Sequence, residues 1–101
     1  MKMSGKAGSA LPVECPSCGG RLAVERLSCP ACGTGVDGSF QLPPLARISR
    51  RDQEFVVAFV KASGSLKEMA SLLGVSYPTV RGRLDEIIGN LTRAEEEVHH
   101  D

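Results

Sequence analysis

Two copies of one short pattern constrain this chain more than any other feature: Cys15-Pro16-Ser17-Cys18-Gly19 and Cys29-Pro30-Ala31-Cys32-Gly33. In each copy a two-residue turn brings both sulfurs to one side, so a pair of thiolates can face a single cation. The glycine after the second cysteine permits a positive φ, which lets backbone amides turn in towards the sulfurs. Ten residues separate Cys18 from Cys29, and together the pairs make the ligand set of one tetrahedral site: Cys15, Cys18, Cys29 and Cys32. One structural Zn2+ is the expected occupant, and a rubredoxin-like iron would use the same ligands. Four thiolates leave no position open for water, which argues against metal catalysis. Two disulfides are the competing use of four cysteines, and they belong to oxidising compartments.

The compartment is read from the rest of the chain. MKMSGKAGSALPV at the start lacks the apolar centre of a secretory signal, and no apolar run reaches the length of a membrane span. A cytoplasmic address with reduced thiols is expected. At 101 residues the chain is one domain or two very small modules, and a small module needs a staple. Residues 21–27 alternate apolar and polar, as a short strand does, and residues 36–42 return as its partner with Gly38 at a bend or bulge. This defines a zinc ribbon over residues 13–42, preceded by a mobile stretch, 1–12. Arg21 and Arg26 are its basic residues and no aromatic lies between the cysteine pairs, so a structural or docking role is expected of it rather than nucleic-acid reading.

Residues 43–48 form a proline-containing joint, stiff and extended. Phe40, Leu42, Leu45 and Ile48 are too apolar for a solvated tether and are expected to pack against the helices. Residues 49–92 then read as three helices. Ser49 caps the first, about 50–62, with Asp52 reaching back as in a capping box, and Phe55, Val56, Phe59 and Val60 form its apolar face. Ser63-Gly64 ends it, and Ser65 with Glu68 opens the second, 66–73, whose apolar face is Leu66, Met69, Ala70, Leu72 and Leu73. Gly74 supplies a left-handed turn, Ser76 caps the third helix, 77–91, and Val80, Leu84, Ile87, Ile88 and Leu91 line its stripe. Ala70, Gly74 and Val80 supply the small residue, the turn glycine and the branched apolar residue that two steeply crossing helices need. The expected fold is a small α+β chain: a zinc ribbon with short antiparallel β, then a trihelical helix-turn-helix. An αα-hairpin without a nucleic-acid role uses similar residues.

The order CPSCGG…CPACG, then LPPLARISRRDQEFVVAFVKASGSLKEMASLLGVSYPTVRGRLDEII, resembles a prokaryotic family, domain of unknown function 2089. The resemblance covers nearly the whole chain beyond its ends. The helical part is also similar to the C-terminal DNA-binding region of bacterial sigma factors. The family resemblance implies a zinc ribbon joined to a helix-turn-helix and a role in transcription.

Net charge is zero, yet residues 45–93 carry eight basic and five acidic side chains, and Glu95, Glu96, Glu97 and Asp101 offset that surplus. The candidate DNA contacts are Tyr77, Thr79 and Arg81 at the start of the third helix, with Arg83 and Lys67 on phosphate. Arg47, Arg50 and Arg51 extend the basic strip. Asp85 and Glu86 repel phosphate, so the far end of the helix should leave the groove. Gly82 weakens the helix. The expected partner is double-stranded DNA, with a homodimer or RNA polymerase adding interface; a protein-docking adaptor without DNA contact is the alternative. No phosphate loop, catalytic triad or small-molecule site is visible, so neither an enzyme nor a membrane protein is expected. Residues 93–101 read as an acidic disordered tail, with His99 and His100 solvated. Whether the thiolates also sense oxidants stays open. Replacing Cys18 with serine should unfold the ribbon and leave most of the helical circular dichroism intact, because the three helices have their own core.

Overall fold

A computed structural model describes residues 11–99, with side chains through Glu97. The expectations for residues 1–10, His100 and Asp101, and for the side chain of His99, lie outside it. Strand β1 (Val24–Ser28) pairs antiparallel with β2 (Gly35–Phe40). The pairing starts later than the alternation predicts: Arg21 instead forms an isolated bridge with Glu14, ahead of the strand. Val24 faces Phe40 and Arg26 faces Asp37, so one extra β2 residue sits between these pairs. Gly38 lies in that bulge, as expected. A Cβ there would meet the tip of the exposed Phe40 ring at 2.6 Å, so a larger residue would require that ring to move. Arg26 and Asp37 close the pair with a 2.8 Å ion pair.

Beyond the sheet lie four helices: α1 (Pro44–Arg47), α2 (Arg50–Lys61), α3 (Leu66–Leu73) and α4 (Tyr77–His99). The joint is thus not extended throughout. Pro43 is, with ψ 161°, but Pro44 opens a helical turn, since a proline in the first turn has no amide to lose. Leu42 and Ile48 pack inward as expected, whereas Leu45 and Phe40 remain exposed. Ser49 and Ser65 cap α2 and α3 through their hydroxyls, accepting from the amides of Asp52 and Glu68 at 3.1 Å each. The reciprocal halves of the two capping boxes are absent. The Ser65 amide donates to Ala62 instead, and the Asp52 carboxylate points across the core.

The core joins Ile48, Phe55, Ala62, Met69, Ala70, Val80 and Ile87, of which Met69, Val80 and Ile87 are each 1% exposed. Several stripe residues stay outside it. Leu72, Leu73, Val60 and Ile88 are exposed, because three short helices surround too little volume to bury a whole apolar arc.

The largest departure is the end of α4, which continues as helix to His99 where a disordered tail is expected. Ala94 is 1% exposed, and Glu97 is bound by two arginines, so the last turns have both apolar and ionic anchors.

Asp52 is the one buried charged residue of the described chain, 3% exposed. Its carboxylate forms an ion pair with Arg83 at 2.5 Å and accepts from the Asn90 side-chain amide at 2.9 Å, tying the first turn of α2 to two successive stretches of α4. Replacing Asp52 with alanine removes the buried partner of the Arg83 guanidinium and leaves it only the exposed Glu86 at 3.2 Å. The metal-loaded protein should lose about 2–3 kcal/mol in urea unfolding, below the full range for a buried pair because Arg83 can lean out to water.

Candidate metal centre and nucleic-acid interface

The two cysteine turns are built alike down to their hydrogen bonds. In the first, the Cys15 amide donates to the Gly20 carbonyl at 2.7 Å and the Gly19 amide to the Cys15 carbonyl at 2.8 Å. In the second, Cys29 donates to Thr34 and Gly33 to Cys29, both at 2.8 Å. Gly19 and Gly33 hold φ of 76° and 79°, the left-handed conformation that makes each turn tight. The amides of Ser17 and Gly20 approach the sulfurs of Cys15 and Cys18 at 3.4 Å, and Thr34 Oγ1 lies 3.0 Å from Cys32 Sγ. Hydrogen bonds from the Cys18 and Ser17 amides hold Cys15 below the usual thiol range. The Thr34 hydroxyl and amide do the same for Cys32. Such contacts favour thiolate over thiol, the form in which cysteine binds a metal.

The cysteines come as two pairs, one in each turn. Among the described residues no group of three or more His, Cys, Asp or Glu side chains converges as one metal-holding cluster. The donor chemistry fits a zinc ion all the same: soft sulfur ligands, amides turned towards sulfur, and matched turns that each present half of a tetrahedral set.

The helix-turn-helix geometry is complete at its turn. Gly74 has φ 68°, and the amide of Val75 reaches back to the Ala70 carbonyl at 3.1 Å, closing the end of α3. Ser76 then accepts from the Thr79 amide at 3.3 Å, and its hydroxyl lies 2.8 Å from that of Thr79. Of the candidate DNA contacts, Tyr77, Thr79, Arg81 and Lys67 are all exposed. Arg81 makes a solvent-exposed pair with Asp85 at 3.4 Å. Arg83 stands apart from the others. Its guanidinium is turned inward onto the buried Asp52, with the exposed Glu86 on its other terminal nitrogen, so it serves the core rather than lying free for phosphate. Of the basic strip, Arg50 pairs with Glu54, and Arg47 is drawn to Glu97.

Sequence reasoning also misses two features. One is the apolar groove between α2, the turn and α4, about 400 Å3, walled by Leu73 and Val75 over Phe55, Met69 and Val80. The other is the junction where Arg21 of the ribbon and Arg47 of α1 meet Glu97. The Arg21 guanidinium, foremost, keeps the Glu97 carboxyl below the ordinary carboxylate range. Only residues far apart in the chain create these features, and local patterning carries no signal of either.

Fold and site together define a two-module protein, a zinc ribbon joined to a helix-turn-helix. A family model described as "DUF2089 zinc ribbon" matches residues 15–46, and one described as "Domain of unknown function (DUF2089)-HTH" matches residues 48–94. The chain belongs to this family, as its resemblance implies. Neither the curated proteins nor the solved structures give a match. Among the described residues no helix is long and apolar enough to cross a membrane.

Gly82 faces open space, with nothing within 4 Å of an added Cβ. The fold therefore has no packing need for a glycine here. Replacing Gly82 with alanine should raise unfolding stability by about 1 kcal/mol, read by urea titration of the zinc-loaded chain.

Proposed function

We propose that the protein is a cytoplasmic DNA-binding transcription regulator in which the start of α4 enters the major groove and the ribbon is a structural or docking module. The observation that carries this reading is the exposed side of α4 directly after the turn. Tyr77 and Arg81 stand one helical turn apart there. Beside them Gly82 leaves the backbone bare, so a groove wall can come close. The Arg81–Asp85 pair is exposed and weak, so guanine or phosphate can displace it. Arg81 is assigned to a base edge, Tyr77 and Thr79 to bases or backbone, and Lys67 to phosphate. Arg83 supports the register of α4 instead.

One Zn2+ on Cys15, Cys18, Cys29 and Cys32 joins the two turns of the ribbon and supplies a crosslink, with no open position for chemistry. We assign the protein no catalysis and no small-molecule substrate. A single small module offers limited interface, so a second copy or RNA polymerase is expected to add to it. The adaptor reading rests on a different observation: Leu72 is 70% exposed, next to the apolar groove walled by Leu73 and Val75. Those residues suit a protein surface better than a phosphate backbone.

Fluorescence anisotropy against pooled genomic duplexes separates the two. A DNA reader binds at low salt, weakens steeply towards physiological salt, and loses roughly tenfold in affinity with Arg81→Ala, the range for a specific side-chain contact. No binding at low salt removes the direct DNA reading and leaves the adaptor.

A further inference from the structure

At the junction of the two modules, one carboxylate is shared by two arginines that come from different parts of the chain. Arg21 grips Glu97 with one edge of its guanidinium, Nε to Oε2 at 2.8 Å and Nη2 to Oε1 at 3.2 Å. Its remaining terminal nitrogen donates to the Arg47 carbonyl at 3.1 Å. Arg47 reaches the same Glu97 Oε2 at 3.1 Å while its Nε donates to the Leu42 carbonyl at 2.8 Å.

The two arms do not have the same support. The Arg47 side chain is only 8% exposed and sits on α1, between the buried Leu42 and Ile48, so the helical body fixes it. Arg21 lies three residues after Cys18 and forms the bridge with Glu14 that closes the first cysteine turn. Around that turn the ladder is very short: Cys15 to Gly20, and Leu22 to Val13 at 2.9 Å. An isolated hairpin of this size is marginal in water, and a metal that ties it to the second turn is what would hold it closed. Arg47 is therefore available whatever the state of the ribbon, and Arg21 only when the ribbon is formed.

We propose that Arg21 is the residue through which the metal-bound ribbon orders the last turns of α4, with Glu97 as the receiving group. This is a positioning role. It rests on the ribbon holding metal and is independent of whether α4 reads DNA. A bidentate guanidinium–carboxylate pair fixes direction as well as distance, so its formation restrains fraying of the helix end. By linkage the effect is reciprocal: whatever factor the metal adds to helix order through Arg21, the Arg21 contact adds to metal affinity.

The test is amide hydrogen exchange on the full chain under reducing conditions, zinc-loaded and chelator-stripped, with zinc content measured directly. Stripping should speed exchange of the amides of residues 94–97 by about fivefold, the scale of one well-formed exposed ion pair, while those of residues 80–87 change little. Zinc-loaded Arg21→Ala should show the same acceleration, stripping it should add nothing further at 94–97, and its zinc affinity should fall by the same factor. Zinc-loaded Arg21→Ala that exchanges like the parent chain, or a stripping effect undiminished in that variant, overturns the proposal. So does loss of all helical circular dichroism on stripping, which would make the metal a support of the whole core rather than of one helix end. Absence of bound zinc in the parent chain would remove the ribbon reading itself, and the metal measurement reports that separately.

Discussion

A carboxylate shut away from water sets the register of the helical module. Asp52 sits in the first turn of α2, where the helix dipole favours negative charge, and its oxygens are taken by Arg83 and Asn90 of α4. A buried charge without partners is strongly unfavourable, so α4 has few positions in which it can pack. Turning the helix by one residue would swing both partners about 100° away. The same arrangement decides which arginines face solvent: with Arg83 committed inward, Arg81 lies on the open side. The outer face of α4 is thus determined from within.

The architecture was largely legible because each signal for it is local. Paired cysteines with a glycine after each, the serine caps at Ser49, Ser65 and Ser76, and Gly74 in a left-handed turn all act over four or five residues, and they set the helix starts at Arg50, Leu66 and Tyr77. What escaped depends on distance in the chain. Asp52 looks like a capping-box residue until a helix some thirty positions on supplies Arg83 and Asn90. Glu97 looks like part of a solvated acidic run until Arg21, seventy-six residues earlier, is brought beside it. Periodicity likewise marks Leu72, Leu73 and Ile88 as apolar but says nothing about whether anything covers them. At the candidate sites, the two matched cysteine turns and the exposure of Tyr77 and Arg81 were readable. The inward turn of Arg83 was not.

The two modules stabilise themselves by different physics. The ribbon's strands are exposed along almost their whole length, so burial contributes little there and crosslinking must supply the rest. The helices have a continuous core from Ile48 to Ile87 and a buried ionic tie across it. Between them lies a polar junction, Arg21 with Glu97, which can open without exposing an apolar core.

Helix α4 belongs to both modules. Its 23 residues place the solvent-facing Tyr77 and Arg81 near one end and Glu97 near the other, about 30 Å apart at 1.5 Å per residue. A rod of that length pivoting about its buried middle acts as a lever. A tilt of about 5° imposed at the ribbon end would carry the opposite end through about one to two ångströms, a displacement comparable to the difference between a made and a broken hydrogen bond. Such a tilt would have to move Val80 and Ile87, both buried in the core, so the give of that core and of the tie at Asp52 sets how much of an adjustment at the distant junction reaches the exposed arginine.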